Sequence, residues 1–295
     1  METQDIAVGI AGWAYPDWDG FVYPRGTKDQ LRFVAQYVDM VEINTTFYRA
    51  PTPRLVYSWH QRTRDIRGFF FSAKLTRDIT HDQIIRPDLV KAFHEAFRPM
   101  TDEGRLHHLL AQFRWDFDDG DRQRRHIDVI VQHFGDMTNL SLELRHRSWE
   151  APDALSFLSG LGVTVANLDY PLAKNSFGMR ESNVGEHAYM RLHGRNAAAW
   201  FDPKAGRDET YNYCYAEAEI EEIAARAGAI ASMSKSLTLV ANNHYQGKEM
   251  LNALELKAKF SGGKVFTPPD LAEKYPRLKK IARSKPLFPE QKELF

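Results

Sequence analysis

The chain has 295 residues, 39 basic and 39 acidic, so its formal net charge is zero. No global field draws it onto nucleic acid or membrane, and any anion site must be local. The single cysteine, Cys214, excludes an internal disulfide and offers nothing for a cysteine metal cluster. No run approaches the roughly 20 apolar residues of a membrane helix. The start METQDIAVGI lacks a basic, then apolar, leader pattern, so a cytoplasmic location is expected.

Eight β-rich runs follow in chain order: 6–12, 40–44, 69–75, 106–113, 139–145, 163–169, 187–194 and 236–243. Amphipathic stretches such as RLVYSWHQRT, PDLVKAFHEAF and RQRRHIDVIVQHF fill most of the gaps. Strands alternating with helices imply parallel pairing and right-handed crossovers, and eight such units close into a single TIM-type (β/α)8 barrel. The gap PLAKNSFGMRESNVGE has no helical pattern, so the crossover between strands 6 and 7 is expected to be irregular. The barrel is assigned to 1–263. Residues 264–295 are punctuated by Pro268, Pro269, Pro276, Pro286 and Pro289, and form an extension expected to run over the surface with at most one short helix.

Strand parity then points to a site. Side chains alternate faces along a strand, so Glu42 and Asn44 oppose Val41 and Ile43, and Lys74 opposes Ala73 and Leu75. Glu143 and Arg145 oppose Leu142 and Leu144; Asp169 opposes Leu168; Arg191 and His193 oppose Met190 and Leu192. One parity must meet the helices and be apolar, so the charged set is expected to face the interior near the C-terminal strand ends, where barrel sites are built. Gln112, Asn242 and Asn243 join that rim. Three carboxylates against three cations also suit a structural ion-pair network, but perturbed ionisable groups concentrate at sites. A functional pocket is the favoured expectation.

The stretches GIAGWAYPDWDGFVYP, VEINTTFYRAP, FSAKLTRDITH, LELRHRSW, LDYP and YMRLHG, with the Asn242–Asn243 pair, resemble the YecE-like family, domain of unknown function 72. The resemblance implies a TIM-type barrel with a rim containing Trp13, Glu42, Asn44, Tyr48, Lys74, His81, Glu143, Arg145, Asp169, Arg191, His193 and Asn243, and no settled reaction. Arg114 in QFRWDF and Ala241 before the Asn pair depart from the family pattern, which makes them candidates for altering the pocket wall.

Three chemistries fit these residues. In a phosphoester hydrolase, Lys74, Arg145 and Arg191 hold the anion, Glu42, Glu143 or Asp169 acts as base, and His193 or His81 as acid. Trp13, Tyr48 and, less so, Trp149 offer stacking faces for a base. A sugar-acting enzyme would use two of the carboxylates across a cleft. A divalent metal on His81, His193, His244 and carboxylates is disfavoured by the neighbouring cations and the lack of HxH or HExxH spacing. Outside enzymes, the barrel could be a ligand-binding or clamp-associated protein. The terminal QKELF resembles the bacterial sliding-clamp peptide, with Gln291 as hydrogen-bonding group and Leu294 and Phe295 as apolar anchors.

Overall fold

The computed structural model describes residues 5–283. The strands are β1 (Ile6–Ala11), β2 (Met40–Ile43), β3 (Phe70–Lys74), β4 (Leu106–Gln112), β5 (Asn139–Glu143), β6 (Thr164–Val165), β7 (Asn167–Asp169), β8 (Ala188–Leu192) and β9 (Leu237–Ala241). All pair in parallel, in the order β6-β5-β4-β3-β2-β1-β9-β8-β7. β6 and β7 are one run interrupted at Ala166, so the two ends of the sheet meet in the chain itself. The result is a nearly closed barrel flanked by helices, with the eight expected runs in the expected places. No helix lies between Asp169 and Ala188, which matches the irregular crossover.

The helices start as their sequences direct. Pro53, Pro87 and Pro152 each occupy the first helical position, where a missing N–H costs nothing and the fixed φ favours the helix. Asp29 accepts from Arg32 N at 2.9 Å and caps the helix Gln30–Val34. One apolar layer joins helices and strands through side chains such as Ile10, Val41, Ile43, Ala73, Leu142, Leu144, Met190 and Leu192. A second, smaller apolar group (Met40, Phe70, Leu110, Ala166, Leu168 and Val240 among them) fills the barrel interior.

That division corrects one parity assignment. Leu168 and Ala166 belong to the interior group, so Asp169 and Asn167 face the helices. Alternation separates two faces but does not say which is inside. Here the helix-facing carboxylate finds Arg226 on the helix Glu217–Ala231. Ala241 packs in the helix-facing layer, so this departure from the family pattern does not touch the pocket wall.

Beyond Lys264, β10 (Val265–Phe266) pairs in parallel with β11 (Ala282–Arg283), enclosing a helix Pro269–Lys274 and a 3-10 turn Pro276–Lys280. Leu271 and Leu278 are fully buried, so this part of the extension is sealed against the core rather than laid over the surface. The clamp-like residues Gln291, Leu294 and Phe295 lie outside the described residues. Among the described residues, no helix is long and apolar enough to cross a membrane.

Candidate functional site

The interior polar residues assemble around Arg191, which is fully buried. Its Nε and Nη2 donate to Glu42 Oε2 and Oε1 at 3.0 and 2.7 Å, and its Nη1 donates to Glu143 Oε2. Arg145 Nε and Nη2 donate to Glu143 Oε1 at 2.8 and 2.5 Å. The Tyr189 hydroxyl donates to Glu42 Oε2 at 2.8 Å and also meets Ser72 Oγ at 2.8 Å. Such fork-to-fork pairing strongly favours the charged forms. Burial works to raise both carboxylates, but the surrounding cations and hydrogen bonds outweigh it. Glu42 is held below the ordinary carboxylate range, and Glu143 well below it.

Lys74 differs from these. Its Nζ stands 3.7 Å from Glu42 Oε1, near enough to pair electrostatically but too far to hydrogen-bond. Burial, with repulsion from Arg191, pushes it down to about 8 despite Glu42 and Glu143. His193 is pushed down to about 4, chiefly by burial and partly offset by Glu143. Asn242 Nδ2 lies 2.9 Å from His193 Nδ1 and Glu143 Oε1 lies 3.4 Å from Nε2. The ring is neutral, with Nδ1 facing the Asn242 amide donor and Nε2 standing 3.4 Å from both Glu143 Oε1 and Arg191 Nη1. The cluster is therefore two carboxylates against three cations: Lys74, Arg145 and Arg191.

Above this floor the mouth opens into two adjoining clefts. The first, about 550 Å³, is lined by Trp13, Asn44, Tyr48, Lys74, His81, Gln112 and Asn242, all nominated from the sequence, and also by Arg207 and Tyr211. Gly12 makes the approach possible: its φ is +93°, and a Cβ there would meet Tyr15 Oη at 2.7 Å. Trp13, packed edge-on against Trp59 at 5.5 Å, follows that turn into the cleft. Asn44 brings a buried carbonyl oxygen with no partner among the described residues. The second cleft, about 660 Å³, is lined by Arg145, Tyr170, Trp200, Phe201, Trp115 and Tyr211 among others. Tyr211 borders both.

His81 sits half-buried in the first cleft, edge-on to Phe47 at 5.0 Å. Burial and the charges of Arg145, Arg114 and Arg77 push it down to about 4. Thr80 Oγ1 donates to Thr76 O, so at its 3.1 Å contact with His81 Nδ1 it must accept. That leaves the Nε2 lone pair free.

Two nominated residues lie elsewhere. Asp169 accepts from Arg195 at 2.9 and 2.8 Å, Arg226 at 2.9 Å and Tyr215 at 2.9 Å, a closed network outside the barrel wall. Asn243 donates to Tyr213 O and Asn252 Oδ1, both at 2.8 Å, on the same outer side. Trp149 is fully buried and packs on Phe117, so it offers no stacking face. Arg114, exposed, pairs with Asp116. His244 stacks on Tyr15 at 4.7 Å. Among the described residues, no three His, Cys, Asp or Glu side chains are arranged to hold a metal ion.

Sequence reading missed Tyr189, and took His108 only as part of a packed or solvated strand. His108 hydrogen-bonds Ser141 Oγ at 2.9 Å and Thr238 Oγ1 at 3.2 Å deep inside the barrel. Tyr189 shares the parity of Arg191 and was available to the same argument. Arg207 and Tyr211 begin and cap the one-turn helix Arg207–Thr210, too short to show a period, and Trp115 stands in a turn. Glu249 is a further buried carboxyl, its two oxygens unpartnered among the described residues; burial raises it well above the ordinary range.

A family model described as "Protein of unknown function DUF72" matches residues 7–275. The chain belongs to this family. Its activity is undefined at that level. The UPF0759 protein YecE of Escherichia coli K12 is 32% identical over 98 residues, a stretch covering 32% of this chain and only 34% of that relative. A DUF72 family protein from Thermotoga maritima shares the structure at a TM-score of 0.77 and 27% identity, covering 87% of this chain and 99% of the other. An Enterococcus faecalis DUF72 protein aligns at 0.77 and 23%, covering 89% and 98%, and supports the fold alone.

Proposed function

We propose that the mouth of this DUF72 barrel binds the anionic group of a phosphoester and hydrolyses it. The observation that carries the reading is Lys74: it lies at the cleft floor with no carboxylate in hydrogen-bond reach, in a cluster whose cations outnumber its carboxylates. A phosphate seated there supplies the missing charge and hydrogen bonds. Arg145 adds a second cation at the border with the other cleft. The neutral His81, with Nε2 free, takes a proton from a water attacking phosphorus, and the incoming anion raises its basicity toward the ordinary imidazole range. The P–O ester bond breaks and the departing alkoxide takes its proton from solvent, releasing the alcohol and the phosphate.

Glu42 and Glu143 then hold Arg191 and Arg145 in position rather than exchange protons. The same fact weakens the sugar-acting alternative. A glycosidase needs a carboxyl with a raised pKa as its acid, and both interior carboxyls are depressed and enclosed by guanidinium groups.

The test is hydrolysis of chromogenic phosphomonoesters and phosphodiesters, with and without added divalent metals, by wild type, Lys74→Met and His81→Gln. We expect about 10²–10⁴-fold loss of turnover for His81→Gln, and loss of stabilisation by inorganic phosphate for Lys74→Met. Phosphate binding that ignores Lys74 overturns the reading. For the terminal QKELF we propose sliding-clamp docking: deleting residues 291–295 is expected to abolish clamp capture with melting unchanged, and retained capture overturns it.

A further inference from the structure

The two clefts repeat one chemical pattern. Each has a cation at its floor, Lys74 in one and Arg145 in the other, and flat aromatic side chains at its lip. The lips are unusually wet for such residues: Tyr48 is 69% exposed, Trp115 71% and Phe201 50%. Tyr211 is shared, so the lobes form one trough across the mouth. No carboxylate lines the first lobe and only Asp202 lines the second. Arg49 and Arg54, both exposed, flank Tyr48 and Leu55 in the chain and have no side-chain partner among the described residues.

Each lobe alone is within the size range of a small-ligand site, so one phosphate-bearing unit fills one lobe and leaves the other vacant. A ligand that repeats anion and flat ring matches the trough. We infer that the substrate is single-stranded nucleic acid, laid across both lobes with bases on the exposed aromatic faces and phosphates over Lys74 and Arg145. A duplex is excluded by the same geometry, because its bases already stack on one another and present no face to Tyr48 or Trp115. The inference rests on the phosphate reading above and names its substrate class.

The experiment titrates the full chain with thymidine monophosphate, an oligothymidylate octamer and the same octamer paired to its complement, at fixed low salt. Fluorescence anisotropy of the labelled strands gives the affinities, and the rise in melting temperature with monophosphate concentration gives that of the monophosphate. The octamer is expected to bind at least about tenfold more tightly than the monophosphate, and the single strand more tightly than the duplex. Trp115→Ala, a change at an exposed side chain, is expected to weaken octamer binding about 5- to 150-fold, the range for losing one stacked base.

Lys74-dependent binding of the monophosphate with no gain for the octamer overturns the polymer inference and leaves the phosphate reading standing. Octamer binding indifferent to both Trp115 and Tyr48 also overturns it. Absence of binding by all three ligands overturns both.

Discussion

The barrel contains two buried carboxylate–guanidinium networks, one on each side of its wall. Inside, Glu42 and Glu143 meet Arg191 and Arg145, with Lys74 left over and a cleft above. Outside, Asp169 is saturated by Arg195, Arg226 and Tyr215, and Arg195 reaches on to Glu219 and Glu222. Burial and ion pairing are common to both. What separates them is the unspent cation and its access to solvent-filled space. The outer network ties strand end to helix, whereas the inner one keeps positive charge available at a mouth.

The largest break in that comparison is Arg191→Leu. It takes the shared guanidinium from both interior carboxylates, leaving Glu143 to Arg145 and Glu42 to Tyr189 and the more distant Lys74. A loss of about 3–5 kcal/mol is expected, read as a fall in the denaturant midpoint. Arg226→Leu removes one of Asp169's three partners and should cost about 1–3 kcal/mol. Equal costs for the two would erase the distinction between a crowded core and a redundant clamp.

A sharper contrast sets Lys74→Met against Asp169→Asn. The first should weaken inorganic phosphate binding by about tenfold or more, corresponding to about 1.4 kcal/mol. The second should reduce stability without moving phosphate affinity, measured by calorimetry on both. Because Lys74 titrates near 8, wild-type phosphate binding is also expected to decline as pH rises through that value.

The interior histidines give a smaller effect with a definite sign. His108 is pushed down to about 3 and His193 to about 4, mainly by burial. Below the ordinary imidazole pKa of about 6.5 the unfolded chain takes up protons that the folded chain refuses. Their stabilising contribution is complete above that value and is lost as pH falls from about 6.5 toward 4, each histidine adding up to about 1.4 kcal/mol per pH unit. His108→Gln should flatten the melting temperature profile between pH 6.5 and 5; an unchanged slope would mean water reaches the ring. Glu249→Gln removes a carboxyl whose folded pKa is raised well above the ordinary range, chiefly by burial. Its cost to the wild type grows as pH rises, so the variant should gain stability at pH 7 and above, and little at pH 4.

The strand runs were legible because a parallel strand backed by helices must carry Val, Ile and Leu on one face, as Val41, Ile43, Leu142 and Leu144 do. Lys74 and Arg191 were legible because a charge between such residues has to point away from them. Asp169 was not, since its parity was visible while its partner Arg226 lies far along the chain, on a helix. Trp115, Arg207 and Tyr211 gave no pattern at all, because a turn and a one-turn helix over a rim are too short to show a period. Those three line the clefts that the interior residues only floor.

The interruption at Ala166 has its own consequence. β5 and β6 share only two register pairs and β7 and β8 three, against five between β8 and β9, and the crossover that follows carries no helix to brace them. A ring is only as continuous as its thinnest seam. Amide exchange should be fastest in this sector, and refolding should complete here last, with the cylinder zipping from β8–β9 around to β5 before the final gap is stitched.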